Sequence, residues 1–454
     1  MAIARSRNGT RFECSACGVQ HAKWEGRCAA CGAWNALEEV TPQLRHNGGA
    51  PRPARAATTV KLASLTATTL ERMPSGLAEV DRVLGGGLVP GTVALLGGDP
   101  GVGKSTLALQ MATRMAAAGE PSLYCSGEES VEQVGLRAAR VGCSAGAVEL
   151  LMETDVESVI AAIESMRPAL AIIDSVQTLL DPAVAGGAGS PSQVRNAVAR
   201  LVSTAKSSGV ALALIGHVTK DGAIAGPRTL EHMVDVVLYL EGERLGEHRM
   251  LRGIKNRFGS TGEVGLLAMD SAGIRELTAP ERAFLDPSSL GVSGNVLTVT
   301  CDGLRPLPVE VQALAVKSGL PVPRRTCSGF DFNRLCLLLA VLEKRGSLPC
   351  GSFDVFLNVA GGIHLSDAGV DLAVALAVAA SLRDRTLPAG FAVIGELGLG
   401  GEVRPVARIE ARLAEAIASG ATDVVLPAGV QVRGGTRCSP HPVSRLGEAL
   451  ALLR

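Results

Sequence analysis

The sequence predicts an α/β protein whose central domain carries a parallel-rich sheet, preceded by a small four-cysteine zinc module and followed by an α+β domain. Three observations point there. Five short aliphatic runs alternate with longer helical patterns between residues 60 and 285. A glycine-rich pattern of the phosphate-binding type follows directly on the first run. Two CxxC pairs stand close together between residues 14 and 31.

Residues 1–44 hold the cysteine pairs, and the stretch RHNGGAPRPARAATT (45–59) reads as a linker, rich in Gly, Pro, Ala and Arg without periodicity. From 60 to 285 the aliphatic runs are TVALLG (92–97), PSLYCSG (121–127), LAIID (170–174), VALALIG (210–216) and VDVVLYL (234–240). Between the first two, Leu107, Met111 and Met115 fall at helical spacing. Such alternation argues for parallel strands with helices on both faces. Residues 286–454 mix strand-like segments, such as VLTVTCDGLRPLPVEVQALA and 353–360, with an alanine-rich helix at 370–382.

A chain of 454 residues is too long for one ordinary domain, and its 47% apolar content is enough to bury more than one core. Aromatic residues are only 3%. The 44 basic residues equal the 44 acidic ones, which excludes a passive polycation; nucleic-acid binding would need local concentration of charge or repetition in an oligomer. The N-terminal MAIARSRNGTRF lacks the apolar segment of a signal peptide, and the longest apolar run, Leu372–Ala380, is about half a membrane span. With seven of eleven cysteines scattered outside the CxxC pairs, the pattern suits a reducing, cytoplasmic location without membrane partners.

Cys14, Cys17, Cys28 and Cys31 form CxxC, ten residues, CxxC, with Gly18 and Gly32 following each pair. Four thiolates in this spacing favour a closed, structural Zn²⁺ site. GGDPGVGKST matches GxxxxGK[ST] after a strand and before a helix. Its residues Gly98, Asp99, Pro100, Gly101, Val102, Gly103, Lys104, Ser105 and Thr106 are the expected ATP-binding loop. Backbone N–H groups wrap the phosphates, Lys104 reaches the β/γ-phosphates, and Ser105 holds Mg²⁺. Asp174, at the end of LAIID, is expected to complete the Mg²⁺ shell. Glu128 and Glu129 end the strand of YCSGEES, and one of them is a candidate base for the attacking water. His217 ends another strand, where a γ-phosphate sensor and a purely structural histidine are both open readings.

Together these motifs carry a resemblance. SGLAEVDRVLGGGLVPGTVALLGGDPGVGKST looks like the start of a RecA-superfamily core. The cysteine module, YCSGEES, GHVTKDG and KNRFG, in this order, resemble the bacterial RadA (Sms) family of DNA repair proteins over nearly the whole chain. The resemblance implies a RecA-like, DNA-dependent ATPase that forms hexameric rings, acts on single-stranded and branched DNA, and promotes branch migration. It implies recombinase or replication proteins as further partners, favours Glu128 as the base, and gives Lys255 and Arg257 a part in coupling ATP to DNA binding. The C-terminal region resembles the Lon protease domain through LNVAGGIHLSDAGVDLAVALAVAAS and GELGLGGEVRPVARIEARLAEA. The positions aligned with its nucleophile and base hold Val370 and Glu410, Ser366 lies a turn too early, and no lysine follows Lys344. A proteolytically inactive Lon-like domain is expected.

KNRFG (Lys255, Asn256, Arg257, Phe258, Gly259) ends a basic stretch that includes Arg244, Arg249 and Arg252. Three readings stand: a solvated charged hairpin, a DNA contact with Phe258 stacking on a base, and a trans contact to a neighbour's γ-phosphate. Lys255 is the favoured trans residue, with Asn256 and Gly259 shaping the turn. Arg195 and Lys220, in loops after Asp174 and His217, join Arg257 as DNA-channel candidates. A KaiC-like regulatory ATPase acting on protein partners is the alternative function, and a Lon-type protease the remote one.

Overall fold

The computed structural model describes residues 11–21, 23–34, 36–40, 71–143, 148–216, 227–242, 247–277, 285, 289, 291–430 and 438–454. The expected linker at 45–59, and the residues His217, Lys220 and Arg244, lie outside the described residues. The chain divides into two compact units, Met1–Thr261 with Gly265–Glu276, and Gly262–Val264 with Leu277–Arg454.

The cysteine module is a three-stranded antiparallel sheet of β1 (Arg11–Cys14), β2 (Gln20–His21) and β3 (Leu37–Val40), in the order β2-β1-β3. Among the described residues its buried centre is Cys14, Cys28 and Leu37. Both tryptophans of the chain, Trp24 and Trp34, lie exposed on this module. A fold with so small a core depends on a metal for its stability.

The main sheet of the first unit is built from α1 (Ala78–Leu84), β4 (Val93–Gly98), α2 (Lys104–Ala117), β5 (Ser122–Ser126), α3 (Val131–Arg140), β6 (Val148–Met152), α4 (Val156–Met166), β7 (Leu170–Asp174), α5 (Pro191–Ser208), β8 (Ala211–Ile215), α6 (Pro227–Met233), β9 (Val236–Glu241), β10 (His248–Asn256), β11 (Val264–Asp270) and β12 (Gly273–Glu276). Its nine strands run in the order β12-β11-β10-β9-β4-β8-β7-β5-β6. Six of them, β9-β4-β8-β7-β5-β6, are mutually parallel, and β10 returns antiparallel to β9. Strand β4 is buried on both faces: Ala94 and Leu96 join one core, and Val93 and Leu95 the other. That is why the run reads as continuously apolar. Helix starts are fixed locally, by a Ser130–Gln133 capping box on α3 and by Asp155 on α4.

The second unit carries β13 (Asn295–Asp302), β14 (Arg305–Lys317), β15 (Arg325–Ser328), α7 (Phe332–Gly346), β16 (Phe353–Val359), α8 (Asp371–Arg383), β17 (Phe391–Val393), β18 (Glu396–Leu397), β19 (Val403–Arg404), α9 (Ile409–Ala418), β20 (Asp423–Pro427), β21 (Ser439–Val443) and α10 (Leu446–Leu450). Seven strands form a mixed sheet, β15-β16-β14-β13-β17-β20-β21, and β18 pairs β19 apart from it. Helix α8 is buried on all sides from Asp371 to Ala380, which its Ala/Val/Leu sequence permits.

Two arginine–aspartate pairs close this unit around the start of α8. Arg334 grips Asp371 through Nε and a terminal nitrogen at 2.7 and 2.8 Å. Arg412, 2% exposed, donates to Asp367, to Val299 O at 2.7 Å and to Ala407 O at 2.9 Å. Burial alone would raise the Asp367 pKa, but Arg412 and the Gly369 N–H outweigh it and hold the carboxyl below its usual value. Val370 is buried beside these pairs, Glu410 lies in the first turn of α9, and the carbonyl of exposed Ser366 accepts from Arg334. Replacing Arg412 by Met leaves Asp367 without its cation in a dry setting, so the second unit should lose about 3 kcal/mol. Thermal unfolding of the full chain, with hydrogen exchange over α8 and α9, measures the loss.

Candidate nucleotide and metal sites

The four cysteines converge. Cys14 and Cys31 sulfurs are 3.6 Å apart, as are Cys17 and Cys28, and all four ligand atoms lie within 4.8 Å of one another. The knuckles repeat: Gly18 N donates to Cys14 O at 2.7 Å, and Gly32 N to Cys28 O at 2.8 Å. Both glycines are left-handed, at φ +71° and +77°, where a Cβ is strained. Four thiols in one cluster fit a tetrahedral Zn²⁺. His21 is only partly exposed, and its Nε2 lies 3.3 Å from Cys28 Sγ. It is placed to orient that thiolate from outside the ligand set.

The phosphate-binding loop connects β4 to α2 at the C-terminal edge of the parallel strands. Gly98 has φ +147°, and a Cβ there would stand 2.3 Å from Leu240 O, so the loop leaves the strand in a way only glycine permits. Lys104, 4% exposed, folds back to donate to Gly98 O at 2.8 Å and Asp99 O at 3.0 Å. Burial lowers its pKa, and the charges of Asp174, Asp99 and Glu128 oppose that shift. The lysine therefore shares one electrostatic environment with three carboxylates, two of which come from the ends of neighbouring strands. Ser105 and Thr106 follow in the first turn of α2, with Thr106 buried. Pro100 and Gly101 are exposed at the tip, and Val102 is buried beneath it.

Asp174 lies at the same edge, next to Ser126 of β5 and Ile215 of β8. Tyr124, fully buried on β5, donates its hydroxyl to Asp174 Oδ2. Arg137 of α3 donates to the same hydroxyl at 2.9 Å and approaches Glu129 at 2.8 Å and Asp174 at 3.9 Å. Burial first, and the Asp174 charge second, push the Tyr124 pKa well above its usual value, so the phenol stays a donor. The two glutamates thus differ: Glu129 pairs with Arg137, whereas Glu128 accepts from the Ser175 hydroxyl beside Asp174. Neither Tyr124 nor Arg137 is legible in the sequence as a site residue. Tyr124 stands within the YCSGEES run, but only the fold brings it to Asp174, 50 positions along the chain.

KNRFG sits at the other edge of the sheet. Strand β10 runs antiparallel, so Leu251 pairs with Leu240 opposite Gly98, while Asn256 pairs with Val236 opposite Ala94. Lys255 and Asn256 are the last residues of β10, and only Arg257–Gly259 belong to the turn. Lys255 Nζ donates to Glu231 O at 2.6 Å and Val234 O at 2.8 Å, and burial lowers its pKa. Asn256 donates to Val83 O and Leu84 O and accepts from Phe258 N at 2.9 Å. Arg257, exposed, pairs with Asp235 at 3.3 Å, and Phe258 packs against the core with Lys206 5.9 Å above its ring. The carboxylate of Asp235, 3% exposed, also accepts from Val93 N at 3.1 Å and Lys206 at 2.5 Å. A Cβ on Gly259 would lie 3.1 Å from Asn256 Nδ2 and 3.4 Å from Gly85 Cα.

The basic stretch is therefore not a continuous patch. Arg249 is buried, Arg252 pairs with Glu241 at 2.8 Å, and Arg257 shares Asp235. Arg195 is exposed on α5. The segment before α5 is pinned rather than loose: Gln193 Nε2 donates to the carbonyls of Asp181, Val184 and Gly186, and Asp181 accepts from Asn196 and Arg200.

Comparison with known proteins fits these sites. The AAA domain family matches residues 57–223, the rubredoxin metal binding domain 12–39, and subunit ChlI of Mg-chelatase 343–429. DNA repair protein RadA of Pseudomonas aeruginosa is 46% identical over 407 residues, covering 89% of this chain and 89% of that protein. The chain belongs to the RadA family of DNA repair proteins. RadA of Synechocystis is 44% identical over 436 residues, covering 89% of this chain and 86% of its own length, and that of Mycobacterium tuberculosis 46% over 419, covering 91% and 86%. A KaiC-like protein of Pyrococcus horikoshii aligns with 45% of this chain and 98% of its own, at 20% identity and a TM-score of 0.38. The chain is an ATP hydrolase with ATP, Mg²⁺ and Zn²⁺ as its ligands, and its architecture joins a zinc ribbon, an AAA-domain core on a parallel-rich sheet and a ChlI- and Lon-like domain. Among the described residues no helix is long and apolar enough to cross a membrane.

Two outcomes are expected. Removing the phenol by Tyr124→Phe withdraws a hydrogen bond from a charged carboxylate, worth about 2 kcal/mol, so Mg²⁺ titration of ATP turnover should shift at least about tenfold to higher metal. Chelation should release one Zn²⁺ per chain and collapse exchange protection over residues 11–40, while binding of a fluorescent ATP analogue persists.

Proposed function

We propose that the chain is a DNA-stimulated ATPase that works as a ring on single-stranded and branched DNA, driving branch migration in recombinational repair. The observation that carries this reading is the separation of two sites on one sheet. Gly98, Lys104, Asp174 and Glu128 gather at one edge, and Lys255 and Arg257 stand at the other. Lys255 pairs with Val237, opposite Leu95, about 10 Å short of the phosphate loop along the strand. Its side chain turns to the carbonyls ending α6. In its own subunit its ammonium is turned away from the phosphate loop, so a direct contact with the γ-phosphate requires a neighbouring copy, as for cationic fingers supplied in trans.

In this mechanism residues 98–106 hold the triphosphate through backbone N–H groups and the Lys104 ammonium, which exchanges two carbonyl partners for phosphate oxygens. Ser105 and Asp174 would hold Mg²⁺, which would supply positive charge against the phosphate oxygens. Glu128, set by Ser175, orients and deprotonates the attacking water, while Glu129 stays engaged with Arg137. Lys255 meets the γ-phosphate of the next subunit and ties turnover to movement of DNA in the channel. Arg257 and Arg195 are the described channel candidates. Lys220 and the sensor histidine His217 complete the assignment from the sequence. A cytoplasmic hexamer with recombinase or replication proteins as partners fits this reading.

Lys104→Ala should abolish ATP turnover and leave bound zinc unchanged. Lys255→Ala should bind an ATP analogue as the wild type does, yet lose the stimulation by single-stranded DNA. Turnover with and without single-stranded DNA over a salt series measures both. A response to DNA that is flat at every salt concentration would sink the DNA reading and favour a regulatory ATPase acting on protein.

A further inference from the structure

Arg249 is a charged residue where a strand core expects an apolar one. It is 4% exposed on β10, and burial pulls its pKa below the usual arginine value. Its Nε donates to Val102 O at 3.0 Å, a carbonyl inside the phosphate loop, and a terminal nitrogen donates to His248 O at 2.8 Å. Gly242 makes the room, since a Cβ there would stand 2.5 Å from Arg249 Cδ. Six residues further along the same strand is Lys255, about 20 Å away in extended chain. Between them Leu251 is buried, and the strand is paired to β9 throughout except for one irregularity between Gly253 and Lys255. One hydrogen-bonded strand thus begins on the loop that wraps the phosphates and ends on the cations at the opposite edge.

We propose that Arg249 is a positioning residue that couples the phosphate loop to KNRFG through β10, so that filling one nucleotide site resets the Lys255 segment of the same subunit. The loop carbonyl of Val102 moves when the backbone on either side turns its N–H groups to phosphate. A buried guanidinium bonded to that carbonyl follows it, because leaving a charged donor unpaired in the core is costly. Strand β10 transmits the shift along its axis, and the bulge before Lys255 is where register can give. This use of the signal rests on the trans role of Lys255, since the segment that responds would then serve the neighbouring site. The coupling itself lies within one subunit.

Hydrogen exchange of the full chain, with and without a non-hydrolysable ATP analogue, tests the coupling. In the wild type the analogue should change exchange at residues 255–258 by about threefold or more. In Arg249→Met the change should vanish, and analogue affinity should fall about tenfold, or about 1.4 kcal/mol. Arg249→Lys, which keeps the charge with a shorter reach, should give a smaller loss of both and serves if the Met variant does not fold. No response at 255–258 in the wild type overturns the proposal, and so does an undiminished response in the variants. Failure of Lys255→Ala to alter DNA-stimulated turnover would instead remove the trans role, whatever the exchange data show.

Discussion

The carboxylate of Asp235 sits where three parts of the ATPase unit meet. It receives the N–H of Val93 at the root of the central strand, the ammonium of Lys206 from α5, and the guanidinium of Arg257 from KNRFG. A carboxylate this buried is stable only with such partners. The backbone repeats the tie, because Asp235 N donates to Val93 O and Arg257 N to Asp235 O. The strand that presents the phosphate loop and the motif that leaves the opposite edge are therefore referenced to one atom group. The two edges thus share an anchor at the base of the sheet.

The active edge shows the same economy of charge. Asp174 accepts from a neutral phenol, and Arg137 stands 3.9 Å from it while bonding Tyr124 and Glu129 more closely. Asp174 therefore has a looser ion pair than Glu129, and its charge also acts on Lys104. The second unit uses its charges differently. Around the start of α8 the Arg334–Asp371 and Arg412–Asp367 pairs join cation to carboxylate directly, and they hold the region together.

How far the sequence discloses this architecture depends on how local the signal is. The run LAIID coincides with β7, and the runs beginning at 92, 121 and 210 fall within a residue of β4, β5 and β8. All four are buried on both faces, so apolarity alone marks them. Strand β6, partly exposed at the sheet edge, gives no such run. Strand β10 hides for a different reason: its alternation of buried and open positions is real, but Arg249 and Asn256 occupy buried positions, so the segment reads as a charged loop. The phosphate loop and cysteine spacing are contiguous patterns and stand out at once. Tyr124, Arg137 and Asp235 act across long stretches of chain, where no spacing rule applies.

The placement of both tryptophans on the zinc module has a practical consequence. With Trp24 and Trp34 exposed there and no other indole in the chain, intrinsic tryptophan emission reports on that module alone. Arg27 over the Trp34 ring, at 5.7 Å, adds a charge to which that emission will respond. Melting of the ATPase sheet is optically silent at these wavelengths. The protein therefore carries its own spectroscopic separation between loss of metal and loss of fold.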